Sequence, residues 1–378
     1  MKRTNIPDNP FVLQPYVSEE LFCDRKKEME SIISHIENGA NVTLISMRRI
    51  GKTGLILRTF EELRKKKYGF DTYYADIYAT SGLDDFVKVL AEAVVSQSSQ
   101  SAIKRFFTML GGIRPLVSYD PISGQPQVSI TYQTELQKET TLKSLMSFLD
   151  STGKKVVVAI DEFQQIREYE DCRMEALLRS HIQNLKNVRF IFSGSRRHIM
   201  TDIFASSNSP FYQSTVNIPL RKLNSDIYAE FIKDKFDKGG KSIDDNTIRF
   251  ILEWTRCHTF YTQTLCNNVY MRAGETVSMQ NVYSAIESIF EAEEDRFFTI
   301  RNMLTKGQWR YLKAIAKEQI VTQPTSGSFI SKYGLGTPAS SRRTMASLIE
   351  KELVLEADTP EGKEYSVYNL FLSRWLES

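Results

Sequence analysis

The sequence predicts an α/β fold: a parallel sheet with helices on both faces, followed by a helical domain and a winged helix-turn-helix. Three observations carry this. Residues 42–57, VTLISMRRIGKTGLIL, pass from an apolar strand through a short loop into an apolar helix start. Residues 154–163, KKVVVAIDEF, form an apolar, mostly β-branched run ending in two carboxylates, the pattern of a strand buried on both faces. Around them, further apolar runs alternate with segments of helical periodicity, which predicts strand–helix–strand units with ligands at the carboxyl ends of the strands.

The first junction is built for phosphate. A chain leaving a buried strand and turning into a helix aims free N–H groups and the positive end of the helix dipole at an anion. Gly51 allows close backbone approach, Lys52 can reach β- and γ-phosphates, and Thr53 can offer its hydroxyl to Mg²⁺. The full pattern G-x-x-x-x-G-K-[ST] has Gly where this chain has Ser46, so the first bend must use dihedrals open to a residue with a Cβ. Arg48, Arg49, Ile50 and Gly54 complete the nucleotide-binding segment, the two arginines serving in anion contact or in salt bridges.

The following elements read in order. Residues 69–79 form a strand ending near Asp76, and 82–97 a helix. Residues 116–130 carry two short alternating runs around Asp-Pro and Ser-Gly signals, a β-hairpin insertion. A helix at 141–151 leads to the acidic strand, where Asp161 would share Mg²⁺ with Thr53 and Glu162 would orient an attacking water. A helix at 172–185 precedes the strand 188–195, whose Ser193 is either a γ-phosphate sensor or an ordinary strand-ending residue.

Composition sets bounds. A chain of 378 residues suggests two or three domains. A net charge of +3 is too small to indicate a nucleic-acid partner by itself. Cys23, Cys172, Cys257 and Cys266 form no C-x-x-C pair and the four histidines no H-E-x-x-H, so neither a disulfide framework nor a zinc site is expected. No segment reads as a signal peptide or membrane span, so a cytoplasmic protein with no membrane partner is expected.

ISMRRIGKTGLI, VVVAIDEFQQI and FIFSGSRRHIM together resemble the archaeal-type ATPases of the STAND/AAA+ branch of P-loop NTPases, as does the upstream stretch NPFVLQPYVSEELFCDRKKEMESI. The resemblance implies a box of Phe22, Arg25 and Glu28 before the first helix, with Phe22 and Arg25 on the base side of the nucleotide. It also implies a helical domain whose Gly-x-Pro motif touches nucleotide. Here Cys257-His258-Thr259 stands in its place, losing a φ-permissive and a φ-locked position together. Relatives carry a P-L-Y-G-R stretch after the sensor strand. SPFYQST (209–215) keeps Pro210 and Tyr212 but has Gln213-Ser214 for Gly-Arg.

From about residue 305 the order is helix, short helix, Thr-Pro turn, helix, strand, turn, strand, that of a winged helix-turn-helix. Ser341, Arg342 and Arg343 lie near the start of its recognition helix, where side chains would meet a DNA groove. Glutamates at 350, 352, 356, 361 and 364 oppose a DNA role, and protein docking is the other use of such a module.

The expectation is therefore a P-loop NTPase domain at 1–220, a helical lid at 221–300 and a winged helix at 301–378. The function expected is a Mg²⁺-dependent ATPase acting as a regulatory or signalling switch. Lys52, Glu162 and Ser193 would be catalytic, with ATP favoured over GTP because no N-K-x-D motif is present. The alternatives are a DNA-binding ATPase or loader and a nucleotide-binding scaffold with little hydrolysis. Expected partners are DNA or a protein at the winged helix, and a nucleotide-dependent oligomer.

Overall fold

The computed structural model describes residues 8–14, 16–66, 69–109, 116–120, 126–130, 132, 134–170, 173–359 and 361–377. Two compact units divide the described residues: 14–223 form one, and 8–13 with 224–377 the other.

The first unit is built in the order α1 (Lys26–Glu37), β1 (Val42–Ile45), α2 (Lys52–Lys65), β2 (Phe70–Asp76), α3 (Leu83–Gln97), α4 (Gln100–Met109), β3 (Leu116–Tyr119), β4 (Pro126–Ser129), α5 (Glu135–Asp150), β5 (Lys155–Asp161), α6 (Met174–Ile182), β6 (Val188–Gly194), α7 (Arg197–Ala205) and β7 (Val216–Pro219). Five strands form a parallel sheet in the order β2–β5–β6–β1–β7. The edge strand β7 is four residues long and adds a member that hydropathy did not announce. The turn signals at 121–125, and Cys172 at the expected start of α6, lie outside the described residues.

Strand residues alternate between faces, and the core follows that alternation. Val156, Val158, Ile160, Phe190 and Phe192 join one apolar cluster with residues of α3 and α5. Val157, Ala159, Ile191 and Leu44 join the other, with residues of α1 and α2. Asp161 and Ser193 share parity with the second set, so the sheet presents both toward α2. Position 161 therefore faces α2 by register. The expected insertion is present: β3 and β4 pair antiparallel. It is anchored, with Val128 buried and its amide donating to Glu92 Oε1 of α3 at 2.9 Å.

The second unit contains α8 (Ser225–Lys238), β8 (Ser242–Ile243), α9 (Asp245–Trp254), α10 (Thr259–Arg272), β9 (Thr276–Val277) and α11 (Met279–Met303), then α12 (Lys306–Glu318), α13 (Gly327–Tyr333), α14 (Pro338–Glu350), β10 (Val354–Thr359), β11 (Gly362–Val367) and α15 (Leu370–Glu377). Side-chain caps set most of these helix starts. Asn224 accepts from the Asp226 and Ile227 amides, and Asp244 from those of Asn246 and Thr247. Ser278, Thr305 and Thr337 each form a capping box. Helix α11 runs to Met303, across the 300/301 boundary expected from sequence. The last four elements make a helix, an antiparallel wing and a closing helix, and Val321 bridges Tyr365 of β11. Helix α15 was not expected; its start is capped by Asn369, which accepts from the Phe371 and Leu372 amides.

Candidate nucleotide-binding site

The phosphate loop connects β1 to α2. Gly51 caps α2 with φ 102°, and an added Cβ there would meet open space, so the dihedral and not the packing calls for glycine. Ser46 is absent from the positive-φ residues; its amide donates to Gly194 O at 3.4 Å, and its hydroxyl to Met47 O at 3.2 Å. A serine suffices because the loop's first bend stays in ordinary dihedral space. The left-handed turn falls instead on Arg49, at φ 60°. Lys52 is buried and donates to Met47 O across the loop at 3.2 Å. Burial pushes its ammonium pKa down, against the opposing pull of Asp161 and Glu162. Ile50 and Gly54 are buried; Ile50 belongs to the core, so the segment offers its backbone at 50 rather than a side chain.

Thr53 Oγ1 donates to Asp161 Oδ2 at 2.8 Å, bringing together two residues 108 positions apart in sequence. Asp161 is 3 % exposed. A hydroxyl and a buried carboxylate side by side are hard oxygen donors of the kind Mg²⁺ takes. Among the described residues no cluster of three or more His, Cys, Asp or Glu could hold a metal alone.

Glu162 has left-handed backbone dihedrals (φ 55°, ψ 40°), a conformation that costs a non-glycine residue about 1–2 kcal/mol. Its carboxylate accepts from Ser195 Oγ at 2.8 Å and from the Gln164 side-chain amide. Arg48 Nε in turn donates to Ser195 Oγ at 3.3 Å. A hydrogen-bonded chain therefore runs from the phosphate loop to the carboxylate. Gly194 makes room for it, since a Cβ there would overlap Gln164 Oε1 and the Met200 side chain.

The expected site residues divide. Lys52, Thr53, Asp161, Glu162 and Arg48 converge at one end of the sheet. Ser193 lies beside Leu44 of β1 in register but is fully buried, its hydroxyl without a hydrogen-bond partner. The serine in contact with Glu162 is Ser195, two residues on. The strand-ending S-G-S held this signal, but only the side-chain geometry separates its two serines. Arg25, 4 % exposed, donates to Glu28 at 2.9 Å and to Ile50 O at 3.5 Å. Its guanidinium thus braces the phosphate loop. Phe22 is half-buried against Tyr16 and, with Asp24, borders a cleft of about 640 Å³ along α1 and α2.

Sequence reasoning missed Tyr74 and passed over the chemistry of Asp76. Tyr74 donates to Asp161 Oδ2 at 2.7 Å; burial, then Asp161, pushes its phenol pKa up. Asp76 pairs in register with Asp161. Burial, with Asp161 and Glu162 nearby, holds its carboxyl above the usual range against the Tyr78 amide that donates to it.

Residues 22–255 match the family model described as an ATPase domain predominantly from Archaea. The chain belongs to this ATPase family. Residues 295–378 of the family member match a probable winged helix domain. No curated protein matches the chain. Among solved structures, this archaeal-type ATPase is similar to the Walker-type ATPase PABY2304 of Pyrococcus abyssi, at 18 % identity and TM-score 0.66, covering 98 % of this chain and 100 % of that one. It is similar also to the Aeropyrum pernix ORC2 protein in ADPNP–ADP complexes, at 14 % identity and TM-score 0.61, covering 98 % and 95 %. A third is the Aeropyrum pernix ORC1 protein in complex with DNA, at 13 % identity and TM-score 0.52, covering 97 % and 96 %. At these identities the likeness concerns the fold.

In the winged helix of this ATPase, Arg342 and Arg343 are exposed on α14. Ser341 corrects an expectation. It is 1 % exposed and donates to Leu335 O at 3.5 Å, so it packs α14 against the preceding turn and cannot reach a DNA groove. None of the described helices is long and apolar enough to cross a membrane.

Proposed function

We propose that the chain is a Mg²⁺-dependent ATPase of the cytoplasm that works as a regulatory or signalling switch, with the winged helix as output. The observation that carries this reading is the Thr53–Asp161 contact beneath the phosphate loop, with Glu162 next in the chain. Lys52 neutralises β- and γ-phosphate charge, and the loop amides and the start of α2 orient the phosphates. Thr53 and Asp161 would hold Mg²⁺, which would supply positive charge to offset that of the phosphates. Glu162 orients and polarises the attacking water, and Ser195 and Gln164 hold its carboxylate in place. Ser193 supplies a second buried hydroxyl on the same face. The rate gain rests on positioning and electrostatic stabilisation.

Steady-state turnover of the wild type and of Glu162→Gln tests this. Loss of the carboxylate removes a contribution of about 10²- to 10⁴-fold, so turnover falls by that order while fluorescent-nucleotide binding is retained. Equal turnover in the two chains would sink the hydrolase reading.

DNA is the output partner that one observation favours, the exposed Arg342–Arg343 pair on α14. Arg342→Ala/Arg343→Ala would then weaken duplex binding and lower the magnitude of its log–log salt slope by about 1–2, as expected when one or two phosphate contacts are lost. Unchanged binding would assign the module to a protein partner. A nucleotide-dependent oligomer belongs to the same reading, and light scattering with and without nucleotide reads it directly.

A further inference from the structure

Tyr74 stands on β2 two residues before Asp76, the register partner of Asp161. Its ring packs against the apolar cluster beneath α2, and its hydroxyl ends on Asp161 Oδ2 at 2.7 Å. Thr53 donates to the same oxygen at 2.8 Å, while the Glu162 amide donates to Oδ1 at 3.0 Å. A carboxylate oxygen has two lone-pair sites. Oδ2 is therefore fully engaged, and a cation seeking it must displace a donor.

Thr53 can turn its oxygen to a cation and still direct its hydrogen at Asp161. Tyr74 is the donor that has to yield. Its phenol meets Asp161, with Asp76 also acting on it, and the negative charge of that pair favours any donor or cation placed beside it.

We propose that Tyr74 is a positioning residue that sets the divalent-cation requirement of the nucleotide site by competing with the cation for Asp161. This rests on the nucleotide-site reading above. The hydroxyl steadies Asp161 when cation is scarce and raises the concentration at which cation takes over. Phenylalanine at 74 keeps the ring packing and removes the competitor.

The experiment uses the full chain and a fluorescent ADP analogue, with binding followed as Mg²⁺ is raised from zero. Tyr74→Phe lowers the half-saturating Mg²⁺ by roughly three- to tenfold, the range one net hydrogen bond represents. An unchanged or higher half-saturating Mg²⁺ in a variant with native circular dichroism would overturn the proposal. The same substitution is made beside Asp161→Asn, where it leaves the Mg²⁺ profile unmoved. A shift in that background would also overturn the proposal, because the effect would then bypass Asp161. Wild-type binding that ignores Mg²⁺ overturns the metal-site reading and this inference together. A Mg²⁺-dependent wild type with an unmoved Tyr74→Phe overturns the inference alone.

Discussion

Asp76 illustrates how a residue of ordinary type comes to hold its proton more tightly. Asp76 is exposed at the strand end. Partial desolvation of its carboxyl, with Asp161 and Glu162 nearby, still raises its pKa above that of an unfolded aspartate, and solvent screens the effect. Protonation therefore favours the folded state. The contribution is favourable below the ordinary carboxylate range and is lost as pH rises through the raised value. Asp76→Asn should accordingly melt at a higher temperature than the wild type at pH 7–8, with the gain disappearing below about pH 4. Thermal melts across that range check it, and a gain that persists at acid pH would refute the account. The same scale shows what the sequence made legible. Gly51, Lys52, Thr53, Asp161 and Glu162 were readable because each sits at the end of a strand or start of a helix that hydropathy locates. Ser195, Gln164 and Tyr74 were not. Their roles depend on which way side chains turn at the end of the sheet, and no local pattern records that.

Among the elements, the junction between α9 and α10 carries a cost in backbone energy. Arg256 and Cys257 both have φ 52°, and Cys257 stands where the resemblance implies the motif's glycine. A left-handed residue with a Cβ costs about 1–2 kcal/mol, and glycine gives back about 0.5–1 kcal/mol through its freer unfolded chain. Cys257→Gly should therefore stabilise the helical unit by about 0.5–1 kcal/mol, read as a higher urea midpoint at constant slope. A lower midpoint would mean that the thiol's contact toward Leu252 O, at 3.8 Å, matters more than the strain. Helices α12 and α14 were legible for the opposite reason. Their capping residues Thr305 and Thr337 and amphipathic spacing agree, so local and tertiary preferences coincide. Helix α15 escaped notice because its apolar stretch, LFLSRWLE, follows a strand closely and reads as that strand's continuation. Asn369 was the available signal.

In the whole molecule, residues 8–13 belong to the unit that the chain rejoins at residue 224. The early segment is a structural part of the helical unit. Phe11 is fully buried against Phe236 and Tyr270, with ring centroids 4.9 and 6.1 Å away. Asn9 donates to Asn267 O, and the Asn267 amide donates to Phe11 O. Phe11→Ala should cost the helical unit about 3–5 kcal/mol. Hydrogen exchange would show it as lost protection at amides of α8 and α10, with β5 and β6 amides unchanged. Uniform loss across both units would contradict that assignment.

The sequence by itself determined the parallel sheet, the phosphate loop, the acidic strand end and a C-terminal helix–wing module, because each is written in contiguous hydropathy and in residue types with narrow chemical use. Tertiary structure decided which groups meet. It brought Ser195 to Glu162, put Tyr74 on Asp161, buried Ser341, and bound residues 9–11 to helices more than two hundred positions away. Those outcomes follow from strand register and side-chain direction, which are set by packing between distant segments and carry no local signature.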